Sequence, residues 1–230
     1  MILRYLLRTD LPISIRLMVC LFTVAAVLIA LSIHECCHGL AAYWMGDSTA
    51  KYQGRISLNP MRHLNPVGTV MLLLFGFGWA NPVMVNENSF RNRKAGMVVT
   101  AAAGPVSNFI VAFLSTLLNW IFSAWAFVSS GNAILENIAL FFMVVSSLNL
   151  GLGLFNLIPL PPLDGSRILA EFLPYKARYT FLSLERYSMF IFVGLIILSN
   201  YVDILGGISS FIMRGYNFAG EALARAIFGL

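Results

Sequence analysis

Charge is scarce in this chain. Of its 230 residues only 11% are Asp, Glu, Lys or Arg, where soluble domains average about 25%. With 59% hydrophobic residues and a mean hydropathy of +0.80, the composition excludes an ordinary soluble domain and points to an integral membrane protein. Long polar stretches are missing too, which leaves no room among these residues for a separate soluble unit. Cysteine is rare. Cys20, Cys36 and Cys37 all lie in the first apolar segment, so no disulfide framework is expected. Histidine is equally rare, with His34, His38 and His63 making up the whole set. The net charge of +5 comes from basic residues in short segments between apolar runs. That pattern marks membrane orientation and not nucleic-acid binding.

The apolar runs predict an all-α polytopic membrane protein with about four core transmembrane helices. A helical span needs about 20 residues. The runs fall at Ile13 to Met45, Ala95 to Val128, Ala133 to Ile158 and Tyr187 to Val202. Val67 to Val85 is apolar but interrupted by Gly76, Gly78 and Pro82. It is expected to form a re-entrant or β-hairpin element, with extended strands at Gly54 to Leu58 and Ala80 to Val85. The expected organisation is a tail (1–12), a core (13–202) and a C-terminal amphipathic or fifth helix (203–230). Arg4, Arg8 and Arg16 precede the first apolar run. Cleavage after that run would remove the histidines, so the segment is expected to be retained.

Lys51, Arg55, Arg62, Arg91, Arg93 and Lys94 lie between the first two spans, and Arg167, Lys176, Arg178 and Arg186 follow the third. The turn Ser129 to Asn132 has no basic residue. These loops place both basic connections in the cytoplasm. The three arginines of the N-terminal tail then lie outside, against the same rule.

Ionisable groups inside lipid are costly and mark functional sites by default. Leu17 to Ile33 carries no charge, and then comes His34-Glu35-Cys36-Cys37-His38. The spacing H-E-x-x-H sets both imidazoles on one helix face, where they can hold one zinc while Glu35 takes a proton from its water. A catalytic zinc wants a third protein ligand. Asp164 is the best candidate, closing 27 uncharged residues from Asn137 to Leu163. Pro159, Pro161 and Pro162 break the third helix there, and Gly165 allows a tight turn. The first and third spans run in the same direction, so both motifs are expected at one depth, near the cytoplasmic face.

H-E-x-x-H on the first span with Asn156-x-x-Pro159-x-Pro161-x-Leu163-Asp164-Gly165 after the third resembles the site-2 protease family, intramembrane zinc metalloproteases of peptidase family M50. Gly104-Pro105-Val106-Ser107-Asn108, Asn59-Pro60, His63-Leu64-Asn65-Pro66 and Gly76-Phe77-Gly78-Trp79-Ala80 resemble its compact bacterial branch. Asn65 stands where that branch often has aspartate. The resemblance covers roughly residues 15 to 200. It implies one zinc per chain on His34, His38 and Asp164, Glu35 as general base, and Asn156 and Asn108 holding the substrate backbone or the oxyanion. It also implies a plasma-membrane protein, active site toward the cytoplasm, that cuts the transmembrane helix of a membrane-protein substrate in the lipid bilayer.

Other readings stay open at this point. Asp164 can be a helix-end cap. Cys36 and Cys37 can pack as small apolar groups, or Cys37, beside the ligand face, can supply a thiolate. His63 can be a loop residue, a ligand or a gate. Gly96, Thr100, Gly104, Asn108 and Ala112 recur every four residues, as a close-packing seam would. Gly76 to Val85 can be a buried loop or an exposed edge that pairs with an unwound substrate strand. A membrane metal-ion transporter, or a protease-like binding protein without activity, are the competing functions. A transport path needs ligands spread through the membrane, whereas the acids here cluster.

Overall fold

A computed structural model describes residues 11–75, 80–188, 190, 191, 193, 194 and 205–229. Three of its helices are long and apolar enough to cross a membrane: α1 (Ile13–Met45), α4 (Arg93–Val128) and α5 (Ala133–Asn156). Between α1 and α4 lie a helical turn α2 (Thr49–Tyr52) and a helix α3 (Pro66–Phe75). After α5 come α6 (Asp164–Ala170), α7 (Tyr175–Leu182) and α8 (Gly206–Phe228).

Local chemistry sets the ends of the spans. Gly46 closes α1 at φ 115°, a left-handed conformation that glycine adopts without a Cβ penalty. The side chains of Asn92 and Asn132 accept from Ala95 N and Ile134 N and cap α4 and α5. α4 is the central element and packs against α1, α5, α6 and α8. All five members of its four-residue repeat are buried, so the small-residue seam faces the bundle.

α8 lies against α4 and α5. Trp120 Nε1 donates to Asn217 at 3.1 Å, and Tyr216 and Ile212 pack around buried Ala112 and Leu150. A Cβ at Gly220 would come within 3.0 Å of the Trp120 ring. The segment expected to be interfacial or a fifth span is thus a helix docked on the bundle. The expected fourth span, Tyr187 to Val202, falls largely outside the described residues, as do residues 1–10 of the tail.

The expected strands do not form. Gly54 to Leu58 and Ala80 to Val85 carry no sheet among the described residues, and one antiparallel bridge joins Leu64 to Ala80. Pro60, Pro66 and Pro82 remove donors that a ladder would need. Pro66–Phe75 is instead helical. Asparagine side chains replace the ladder: Asn81 Nδ2 donates to Leu64 O at 2.9 Å and Asn65 Nδ2 to Asn81 Oδ1 at 3.2 Å. At the far end of this segment, Asn86 N donates to the fully buried Asp47 at 2.7 Å. Residues 81 to 86 are therefore pinned at both ends.

Candidate metal centre

His34 and His38 lie one turn apart on α1 and are both buried. Their Nε2 atoms stand 3.0 Å apart. Asp164 Oδ2 completes the triangle, 3.1 Å from His34 Nε2 and 3.3 Å from His38 Nε2. Four ligands tetrahedral around zinc at 2.0–2.1 Å stand about 3.3 Å from one another, so the triangle has the size of one face of such a site. Asp164 Oδ2 is also buried with no hydrogen-bond donor. Among the described residues these three form the one group of ligating side chains that can hold a metal.

The chain between Asn156 and Asp164 aims the carboxylate. α5 ends before Pro159, and the turn closes through Leu160 N to Ile158 O at 2.8 Å and Leu163 N to Leu160 O at 3.0 Å. The Pro161–Pro162 peptide is cis. Gly165 is required, although not for a left-handed turn. A Cβ there would strike the Leu157 carbonyl and lie 2.7 Å from Ile158 O. The second motif folds back on the end of α5, and only glycine fits beneath it. Asp164 opens α6, and its Oδ2 turns toward the imidazoles and caps no amide. Burial opposes the charge on Asp164. With the site free of metal and its rings protonated, the imidazoles, His38 first, outweigh burial and hold its carboxyl below the ordinary carboxylate range, a role a bound cation would take over with both rings neutral.

α4 holds the other edge of each ring. His38 Nδ1 donates to the Thr100 carbonyl at 2.7 Å. His34 Nδ1 meets Asn108 Oδ1 at 2.6 Å, and Asn108 Nδ2 donates to Asn149 Oδ1 at 2.8 Å. Metal-bound histidines ordinarily have such partners. Gly104 lies between these contacts, and a Cβ on it would collide with both rings. The four-residue repeat on α4 is thus a packing seam that also houses the imidazole pair.

Glu35 is half-buried and faces a cavity of about 190 Å³ beside the triangle. That is room for several waters at ~30 Å³ each. Asn156, Leu152, Val83, Val85 and Arg167 share its wall. Asn156 Nδ2 donates to Leu152 O at 3.0 Å. Asn108 lies elsewhere, fully buried with both ends of its amide engaged.

The remaining candidates from the sequence are outside the centre. His63 is fully buried, and its Nε2 bonds the Ser57 carbonyl at 2.7 Å. It orders the loop between α2 and α3. Cys36 and Cys37 are free thiols outside the ligating group. Thr100 enters the sequence reading only as a member of the small-residue seam, Asn149 carries no motif that would single it out, and neither does an ionic cluster beyond the cavity. There the buried Glu171 pairs with Arg178 at 2.7 Å and Arg93 at 3.2 Å, and Glu87 pairs with the same two arginines. In the sequence, Arg93 and Arg178 register only as charges that set topology.

The profile of peptidase family M50 matches residues 22–199. YwhC of Bacillus subtilis (strain 168) is 40% identical over 183 residues, covering 79% of this chain and 83% of YwhC. Rip2 of Mycolicibacterium smegmatis is 27% identical over 184 residues, covering 77% of this chain and 67% of Rip2. Both carry zinc-metalloprotease names. No solved structure gives a significant match. With its apolar helices and its H-E-x-x-H and Asp164 motifs meeting in space, this chain is a membrane protein that belongs to peptidase family M50.

Proposed function

We propose that this protein is an intramembrane zinc metalloprotease that hydrolyses peptide bonds within or near transmembrane segments of membrane-protein substrates. One zinc per chain is held by His34, His38 and Asp164. The observation that carries the reading is the meeting of three ligating atoms within 3.0–3.3 Å, two from a membrane-length helix and one from a proline-broken turn. Bound there, zinc supplies Lewis-acid activation of a water whose pKa falls to about 7 in such sites.

The chain's own residues do the rest. Glu35 adjoins His34 and faces the same cavity. It takes the proton of the attacking water and passes it to the leaving amine. Asn156, with one amide hydrogen beyond its bond to Leu152, donates to the substrate carbonyl as negative charge develops there. Asn108, engaged on both sides, holds a ligand and not the substrate. A helical substrate must open before its amide bond can be attacked. Beyond the bridge at Ala80, the stretch Pro82 to Val85 runs along the cavity without a sheet partner among the described residues, which supports main-chain pairing with the opened strand. The basic residues on either side of α3 and those in and around α7 support an orientation with the site toward the cytoplasm.

Reconstitution with zinc and a single-span substrate tests the reading. Wild type should cleave, Glu35→Gln should bind zinc without cleaving, and Asp164→Asn should lose both. Cleavage by Glu35→Gln in a preparation free of other proteases would sink it.

A further inference from the structure

Asn149 belongs to no motif and touches neither the cavity nor the ligand triangle. We propose that it is a positioning residue for the metal centre, fixing through Asn108 which nitrogen of His34 carries the proton. The proposal rests on the metal-binding reading of His34, His38 and Asp164.

The direction of the relay follows from its far end. Asn149 Nδ2 lies 2.8 Å from the Val145 carbonyl. A carbonyl only accepts, so the amide nitrogen of Asn149 must face it and the amide oxygen must face Asn108. Asn108 therefore presents its nitrogen to Asn149, at 2.8 Å. Its oxygen then faces His34 Nδ1, at 2.6 Å. An oxygen so placed demands a donor, so His34 carries its proton on Nδ1 and turns the Nε2 lone pair toward Asp164 and His38. For His38 a main-chain acceptor, Thr100 O, does the same work in one step. For His34 the work takes three helices: α1, α4 and α5.

Burial makes the relay strict. Asn108 and Asn149 are both fully inaccessible, and no water competes for their amides. Carboxylates are common partners of metal-bound histidine. Two neutral amides fix the same tautomer without adding a further anion to Asp164 and Glu35. Removing the Asn149 side chain frees Asn108 to turn its nitrogen toward His34. The imidazole can then protonate Nε2, the nitrogen the metal needs. The Val145 carbonyl keeps its helical bond to the Asn149 amide, so the backbone is left satisfied.

The test is zinc affinity, measured on detergent-purified full-length protein by competition with a fluorescent chelator. Asn149→Leu should weaken zinc by about 10–100-fold, the range for lost outer partners of metal ligands. Asn108→Leu should match it, and the double variant should be no worse than either single one, because the two act as a unit. Asn149→Asp, protonated in this apolar site, donates to Val145 O and still accepts from Asn108, so it should keep near-wild-type affinity. Ser146→Ala breaks a different buried contact between α4 and α5, the 2.7 Å bond to Thr116, and should leave zinc affinity unchanged. Equal weakening in Ser146→Ala and Asn149→Leu would reduce the effect to general loosening and overturn the proposal. Unchanged affinity in Asn149→Leu would overturn the relay and leave the metal site standing. Failure of the wild type to bind zinc would overturn both.

Discussion

Gly104→Ala is the most economical probe of how tightly α4 cradles the imidazoles. The new Cβ would lie 2.6 Å from His34 Cε1 and nearer still to His38 Nε2. Ordinary contact begins at 3.4 Å, so the His34 ring must retreat by about 0.8 Å and the His38 ring by about 1.0 Å. They cannot do so freely. Their far edges are held by bonds of 2.6 Å to Asn108 and 2.7 Å to Thr100, and such a retreat must break or bend these. If it lengthened them fully, they would pass the ~3.2 Å limit of a normal hydrogen bond. Overpacking of this kind costs about 1–3 kcal/mol, against a gain of about 1 kcal/mol from replacing a helical glycine. The damage falls on a ligating atom, so zinc affinity should drop by more than tenfold. Gly151→Ala is the control. Nothing lies within 4 Å of its added Cβ, and it should be neutral or slightly stabilising. Isothermal titration with zinc and thermal unfolding in detergent measure both variants. Wild-type zinc affinity in Gly104→Ala would refute the close approach of α4 to the rings.

Two further outcomes are expected. Glu171→Gln removes the buried anion of the cluster and leaves Arg178 and Arg93, whose side chains are 18% and 42% exposed against 3% for Glu171, to share Glu87 alone. The loss should be about 2 kcal/mol, between the values for surface and buried pairs, read as a lower unfolding midpoint; an unchanged midpoint would count against the ionic cluster as a clamp. His63→Asn should keep full zinc stoichiometry by metal analysis while making the loop around Ser57 more susceptible to proteolysis. Loss of zinc would place the third histidine at the metal after all.

Much of this site is legible in sequence, for particular reasons. The four-residue spacing of His34 and His38 fixes their shared helix face whatever surrounds it. Asp164 is conspicuous because it ends 27 uncharged residues. The first span is read to its bounds, since lipid-length hydropathy leaves few alternatives. Extended-favouring residues at Gly54 to Leu58 and Ala80 to Val85 suggest strands. A strand is defined by its partner, however, and asparagine side chains take the partner's place. Asn149 has no local signature. It is one amide in an apolar run, and its meaning lies in Asn108, 41 positions away. Glu171 and Arg93 are 78 positions apart, and neither charge announces the other. For Gly165 the sequence suggests a role through backbone freedom. Its actual constraint, the Leu157 carbonyl overhead, exists only once the turn has folded back.

The double anchoring of residues 81 to 86 bears on how a substrate is admitted. Asn81 is tied to residues 63 and 64, and Asn86 to Asp47 at the foot of α1. Five residue steps between fixed points span at most about 18 Å, too short a leash for a swinging door. On the proposed function, this wall would serve as a fixed rail for an incoming chain. Any timing of admission must then come from helices that part elsewhere in the bundle, and a tether engineered across the rail should leave turnover intact.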